Sequence, residues 1–288
     1  DALPILQRLN GYGTTKTAMF PYLMKRDAFS TNKYPLFVVP TLEIQLLSQK
    51  IIELSSKITD LANKLPDVAH QQFYNEQLFN AIISTNEIEG IGTTRKDVAV
   101  AIDALNKDRK EKLKHKSTVR MYLDILSEDY LNITELIHIR EIYDALTNGE
   151  IEDEDQLDGE LFRKDLVSIV NNKTGKIEHI PPSKEQTIKE MLKSWLDFIN
   201  TATIPFLIKA SLAHYFFENI HPFYDGNGRT GRYILSKYLS RKLDKFSGLI
   251  ISKKINEDKA KYYKSFAETG DTLNRADGTR FVQIGRAH

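Results

Sequence analysis

Twelve consecutive residues, His221-Pro-Phe-Tyr-Asp-Gly-Asn-Gly-Arg-Thr-Gly-Arg232, place an imidazole, a carboxylate, three glycines and two arginines between two stretches of helical spacing. Upstream, Phe206, Leu207, Ala210, Leu212, Ala213, Phe216, Phe217 and Ile220 recur at three- and four-residue intervals, which marks a buried helix. Downstream, Tyr233 to Leu243 resumes the same spacing. The dodecapeptide therefore predicts a loop that closes one helix and opens the next. A loop clamped at both ends by packed helices is rigid, and rigid loops can carry chemistry.

The residue types inside the loop point to phosphate. Gly226 and Gly228 bracket Asn227 where the second helix should begin, giving backbone that turns sharply and presents N–H groups to an anion. Arg229 and Arg232 lie three apart, on one face of the new helix's first turn, and both can reach phosphate oxygens. Cations at a helix N-terminus oppose the macrodipole, so their placement asks for a compensating anion, and a polyphosphate fits. Asp225 adds a hard oxygen ligand suited to Mg²⁺, which commonly binds one or two carboxylates together with the nucleotide. His221 can take a proton near neutral pH and is the natural general base for a hydroxyl attacking phosphorus. A lone histidine is usually structural and Gly-Asn-Gly alone is usually a turn. A turn, however, has no need of histidine, aspartate and two arginines at these offsets.

The run resembles the signature of Fic proteins, His-Pro-Phe-x-Asp-Gly-Asn-Gly-Arg-x-x-Arg, with every specified position filled. The resemblance implies a mostly α fold, a helical bundle with a small β-hairpin flap. It also implies a Mg²⁺-dependent enzyme that moves AMP from ATP to a protein hydroxyl. On that resemblance His221 deprotonates the target Ser, Thr or Tyr, and Asp225 holds Mg²⁺. Gly226, Asn227, Gly228 and Arg229 then cradle the α- and β-phosphates, and Arg232 pairs with the γ-phosphate. The related Doc kinases depart from Gly-Asn-Gly-Arg, so the intact glycines favour nucleotidyl over phosphoryl transfer.

Upstream, Gln71 to Gly90 has helical spacing through Phe73, Leu78, Ala81, Ile82, Thr85 and Ile88, with Gly90 a suitable C-terminal cap. Its last residues, Thr85-Asn-Glu-Ile-Glu-Gly90, resemble the inhibitory motif of Fic proteins, (Ser/Thr)-x-x-x-Glu-(Gly/Asn). Thr85 and Glu89 are four apart and share a helix face. The resemblance implies that Glu89 pairs with Arg232 and occupies the γ-phosphate position. An exposed ion pair is worth only about 0–1 kcal/mol, so such a lock has to be largely buried.

Farther along, Asp165 to Val170 and Lys176 to Ile180 alternate around Asn171-Asn-Lys-Thr-Gly175, a two-stranded hairpin closed by Pro181. Its unpaired edge can accept an extended peptide. It resembles the Fic flap, which implies that Val167, Ser168, Ile169, Val170, Ile177, Glu178, His179 and Ile180 register the target by strand addition. Tyr262 and Tyr263 follow the catalytic helices, and Tyr263 is a candidate wall for adenine. Arg163 matches a frequent family arginine whose chemical role the sequence does not give.

The remaining pattern is helical: 41 to 65, a helix capped by Thr93 or Thr94, 119 to 131, 134 to 146, 184 to 198 and 257 to 269. Residues 1 to 40 read as an irregular arm packed on helices, and Leu249 to Ile255 as a short apolar stretch. Thr279 opens a further helix that is expected to be cut short. The charge run at 106 to 116 mixes signs and lacks aromatics, a solvated linker rather than a nucleic-acid patch. It divides the chain into a regulatory portion, 1–110, with its inhibitory helix at 71–90, and a catalytic portion, 111–288, with the flap at 165–181 and the loop at 221–232.

Net charge is +1, which gives no support to a diffuse nucleic-acid surface, and the absence of cysteine removes disulfides and thiolate metal sites. No apolar run reaches the roughly 20 residues of a membrane span. The start Asp1-Ala-Leu-Pro lacks the basic then apolar pattern of a signal peptide, so the expected setting is cytoplasmic. The expected partner is a protein bearing a hydroxyl side chain, with neither nucleic acid nor membrane, and a homodimer is left open. Two other readings stand beside AMP transfer: removal of AMP by a water that Glu89 orients, and a nucleotide-gated binding module without turnover.

Overall fold

In a computed structural model, residues 5–23, 34–107, 113–125, 132–170 and 174–284 are described. The elements run α1 (Ile5–Leu9), β1 (Thr15–Lys16), β2 (Phe37–Val38), α2 (Leu42–Ala62), α3 (Asp67–Ile88), α4 (Arg95–Asn106), α5 (Lys116–Asp124) and α6 (Leu136–Thr147). They continue as β3 (Ile169–Val170), β4 (Ile177–His179), α7 (Glu185–Thr201), α8 (Phe206–Ile220), α9 (Asn227–Lys242), α10 (Lys245–Leu249), α11 (Ile251–Glu257), α12 (Lys259–Gly270) and α13 (Thr279–Ile284). The fold is mostly helical, and the described strands form only two antiparallel pairs, β1–β2 and β3–β4.

Local chemistry sets the ends of these helices. Thr41 caps α2 by accepting from the Ile44 N–H at 3.3 Å. Thr94 and Asp97 form a reciprocal capping box at the start of α4. Helix α3 begins at Asp67, earlier than the expected residue 71, because Pro66 already supplies the fixed φ of a helix entry. Its far end is Gly90, whose φ of +77° is the left-handed stop that glycine takes without steric cost.

Helix α8 is apolar nearly all round and forms the centre of the core. Leu212, Tyr215, Phe216 and Ile220 are fully buried, and Trp195 of α7 tilts onto Phe217 at 5.7 Å while donating its indole N–H to the Ala213 carbonyl at 2.9 Å. Helix α9 packs on α8, and α3 packs on α5, α9, α10 and α11, so the proposed inhibitory helix reaches the site through its own packing. Leu249 to Ile255, expected as an apolar stretch, is shared between α10 and α11.

The described part of the N-terminal arm packs more regularly than its sequence suggests. Met19, Leu36, Phe37 and Val38 are wholly buried, and β2 bridges to Asp277. The β1–β2 pair joins strands of two residues each across a long separation, and periodicity cannot see such a pairing. The expected helix at 119–131 appears as α5, and its residues 126–131 lie outside the described set, as do the regulatory boundary at 110 and flap-turn residues 171–173. No helix of the described residues is long and apolar enough to cross a membrane.

Candidate active site

The loop begins with strained backbone. His221 ends α8 in the left-handed region at φ 50°, with its N–H bonded to the Phe217 carbonyl at 3.1 Å. For a non-glycine residue that conformation costs about 1–2 kcal/mol, so neighbouring structure must hold it. Arg163 does. It is wholly buried and donates from Nε to the His221 carbonyl at 2.8 Å, from Nη2 to Ile220 at 3.4 Å and from Nη1 to Asp165 at 2.7 Å. Its own N–H reaches the Pro222 carbonyl at 3.1 Å. A cation on the orphan carbonyls of a helix C-terminus satisfies both their hydrogen bonds and the macrodipole. Burial nevertheless lowers the guanidinium pKa to about 10. Arg163→Ala should lower stability by about 2 kcal/mol or more, since it orphans several buried acceptors; equal thermal midpoints for variant and parent would refute the clamp.

The second half of the loop is folded around its glycines. Gly226 has φ +79°, and a Cβ there would lie 2.9 Å from Thr147 Cγ2 and 3.1 Å from Tyr143 Cε2 of α6. Phe223 stacks on Tyr143 with ring centroids 3.8 Å apart. The Asn227 amide accepts from the Phe223 N–H at 2.9 Å and donates to the Phe223 carbonyl at 2.8 Å. Its side chain is thus committed to closing the turn. Asp225 Oδ1 accepts the Gly226 N–H at 2.5 Å and Oδ2 accepts Arg229 Nη2 at 2.9 Å. Arg229, buried, also donates Nη1 to Glu150 Oε2 at 2.9 Å.

Across the cleft, the end of α3 meets Arg232. The guanidinium donates Nε to Thr85 Oγ1 at 3.1 Å, and Nη2 to both the Thr85 carbonyl at 3.1 Å and Glu89 Oε1 at 2.6 Å. Arg232 is only 2% exposed in its side chain, against 25% for Glu89, so the pair is largely out of water. Burial pulls the Arg232 pKa down, but Glu89 foremost among its neighbours holds it above the ordinary guanidinium range. A Cβ added at Gly228 would run into Glu89 Oε1 and Arg232 Nη1. The carboxylate therefore sits directly on the glycine turn that the sequence marks as an anion seat.

His221 is partly buried, and loss of water, then the charges of Arg163 and His179, lowers its pKa to about 3. Its ring is neutral at pH 7 and in the form that accepts a proton. The flap brings an unexpected contact here. His179 is buried, with Nε2 hydrogen-bonded to the Asn219 carbonyl at 2.8 Å, so it faces the end of α8 and not a docked peptide. Alternation puts Val170 and Ile177 on the exposed side, with Ser168 exposed and Val167, Ile169, Glu178 and Ile180 partly covered. Tyr263 is half exposed, packs edge-on against Tyr262 at 5.3 Å and lies within range of the Glu89 and Arg232 charges.

Sequence reasoning missed Glu150 and Glu218. Glu218 lies on α8 with Oε1 buried and without a hydrogen-bond partner, 4.0 Å from His214 Nδ1. Burial raises its carboxyl pKa to about 8, with Arg232 opposing that shift and Glu89 adding to it. The unfolded chain ionises this group above its ordinary pKa of 4.5, so native stability attributable to it is full below that pH and is lost as pH rises toward about 8. Glu218→Gln should therefore gain thermal stability relative to parent between pH 5 and 8, by a few degrees; a pH-independent difference would contradict it.

The sequence pattern of the Fic/DOC family matches residues 130–239, the stretch that contains α6 to α8, most of α9 and the whole loop. Residues 130–239 carry a Fic domain. A Drosophila melanogaster protein described as "Protein adenylyltransferase Fic" is 25% identical over 209 residues, covering 70% of this chain and 39% of the relative. A Drosophila erecta relative of the same description is 32% identical over 121 residues, 41% of this chain and 22% of the relative. The chain thus spans about two fifths, or less, of the length of these curated relatives. The crystal structure of a Fic family protein from Desulfovibrio desulfuricans G20 superposes with a TM-score of 0.66 at 23% identity, over 86% of this chain and 71% of that one. Fic-1 from C. elegans gives 0.53 at 21%, over 85% and 70%. At these identities the structures establish the shared fold. The segment bearing Thr85 and Glu89 lies outside the family match, so its contact with the Fic loop rests on the geometry above.

Mg²⁺ can be tested against the donors present. Among the described residues no group of three or more His, Asp or Glu could enclose a metal ion. Asp225, with its side chain 42% exposed beside the glycine turn, offers one carboxylate facing solvent. One carboxylate plus nucleotide phosphates is a donor set that Mg²⁺ accepts.

Proposed function

We propose that this Fic domain transfers AMP from ATP to a Ser, Thr or Tyr hydroxyl of a protein and is held inactive by Glu89. The observation that carries the reading is the Glu89–Arg232 contact of 2.6 Å at the Gly228 turn, an anion already seated where a phosphate would go. The relatives described as protein adenylyltransferases support the same chemistry. In the reaction, His221 takes the hydroxyl proton as the oxygen attacks the α-phosphorus. An O–P bond forms, the bond to the bridging oxygen breaks, and pyrophosphate leaves with its electron pair. The turn at Gly226 to Gly228 and the guanidinium of Arg232 hold the phosphates and fix the line of attack. Asp225 would hold Mg²⁺, which would neutralise charge on the phosphates.

The flap supplies the docking edge in this reading, Val170 and Ile177 being the exposed apolar positions of its two strands. Residues 1–110 act as the regulatory portion and 111–288 as the catalytic portion. A chain without cysteine needs no oxidising compartment, and the reading places the activity in the cytoplasm, where ATP is supplied. The test is double labelling: with the Glu89→Gly variant, label from the α-phosphate of ATP should enter protein and label from the γ-phosphate should not. Transfer of the γ-label alone would replace AMP transfer by phosphoryl transfer.

A further inference from the structure

Glu150 is absent from every motif, yet it is the internal counter-ion of the catalytic loop. We propose that Glu150 is a positioning residue which neutralises buried Arg229, so that the Asp225 carboxylate stays available to Mg²⁺ bound with nucleotide. The proposal rests on the ATP reading above. Arg229 is 1% exposed and shares its guanidinium between two carboxylates at equal distance, Glu150 Oε2 and Asp225 Oδ2, each at 2.9 Å.

The two carboxylates have different surroundings. Glu150 is 10% exposed, while Asp225 is 42% exposed and opens on the cleft. Glu150 is held from behind by Ser117 Oγ and Thr118 Oγ1, both donating to Oε1 at 3.3 Å, and its N–H is anchored to the Thr147 carbonyl at 2.9 Å. Burial raises its pKa and the Arg229 charge beside it opposes that shift. The arrangement divides the labour: the inner carboxylate balances the buried cation, and the outer one keeps surplus negative charge for a second cation. Without Glu150, Arg229 would draw on Asp225 alone, and the ion pair would compete with the metal for the same oxygens. Partners that orient a metal-ligating carboxylate in this way typically change metal affinity by about 10–100-fold when lost.

The experiment uses the whole chain with Glu89→Gly, so that the phosphate seat is open, and compares it with the same chain carrying Glu150→Gln. The substitution keeps the size and removes the charge: the amide oxygen can still accept from Arg229, and the amide NH2 can donate to the hydroxyls of Ser117 and Thr118. ATP binding is measured by calorimetry across a series of Mg²⁺ concentrations. The Mg²⁺ concentration giving half-maximal ATP binding should rise about tenfold in the glutamine variant, with ATP affinity recovered at high Mg²⁺. Adding Asp225→Asn to both chains should erase the difference between them, since the ligand through which Glu150 acts is then gone. A merely structural role would weaken ATP binding equally at all Mg²⁺ concentrations, and an unchanged midpoint would overturn the proposal. If Glu150→Gln fails to fold, Ser117→Ala, which loosens Glu150 from behind, should shift the midpoint in the same direction by a smaller factor; no shift there is equally fatal. A Glu89→Gly parent that binds no ATP at any Mg²⁺ concentration would sink the nucleotide reading as well, whereas normal ATP binding with an unmoved midpoint sinks this proposal alone.

Discussion

On the proposed function, Glu89→Gly is expected to raise AMP transfer by about 10²-fold, because a carboxylate in the phosphate seat would misplace the nucleotide and a shift of about 1 Å in the reacting atoms costs that much. The geometry makes the effect specific. Glu89 Oε1 lies 2.6 Å from Arg232 Nη2 and against the Gly228 turn, so a triphosphate meets a like charge and an occupied cation at once. Removing the side chain leaves Arg232 with its two bonds to Thr85, at 3.1 Å each, so the guanidinium stays aimed into the cleft. Glycine at 89 also suits a helix end whose next residue is Gly90 at φ +77°. Automodification with α-labelled ATP reads the result directly. Equal labelling of variant and wild type would remove the regulatory role of Glu89. Loss of AMP removal from a modified target, with no gain in AMP addition, would instead give Glu89 the task of orienting water.

Half of this contact was legible because it is local. The twelve residues from His221 to Arg232 form one helix–loop–helix element, and a motif confined to one element survives translation into three dimensions. Thr85 and Glu89 were legible as a helix face, and their target only through resemblance, since the contact spans 143 residues of chain. Glu150 could not be found in this way. It stands just before a run in which Asp153, Glu154 and Asp155 look just as plausible, and only tertiary packing selects it as the partner of Arg229, 79 positions away. Arg163 shows the same limit from the other side: the arginine stood out, but its work on the carbonyls of Ile220 and His221 depends on the loop and α8 meeting. The N-terminal hairpin was hidden for the same reason, as its two-residue strands carry no local turn signal.

His221→Ala in the Glu89→Gly background should lower AMP transfer by about 10²–10⁴-fold while leaving ATP binding nearly intact, which is the signature of a proton acceptor and not of a phosphate ligand. The backbone argues that the imidazole is held for chemistry. A histidine kept in the left-handed region, with its carbonyl fixed at 2.8 Å by a buried arginine, is an arrangement that packing alone would not select. The pH dependence follows from the charges around the ring. Burial, Arg163 and His179 hold its pKa at about 3, so protonation does not disable it near neutrality. Phosphates seated beside it add negative charge and raise that value. The rate should accordingly fall as pH drops through the raised pKa of the nucleotide complex, and this acid limb should vanish in the residual activity of the alanine variant. An acid limb that persists unchanged in His221→Ala would assign the titration to another group, and ATP affinity lost in parallel with rate would make His221 a binding residue.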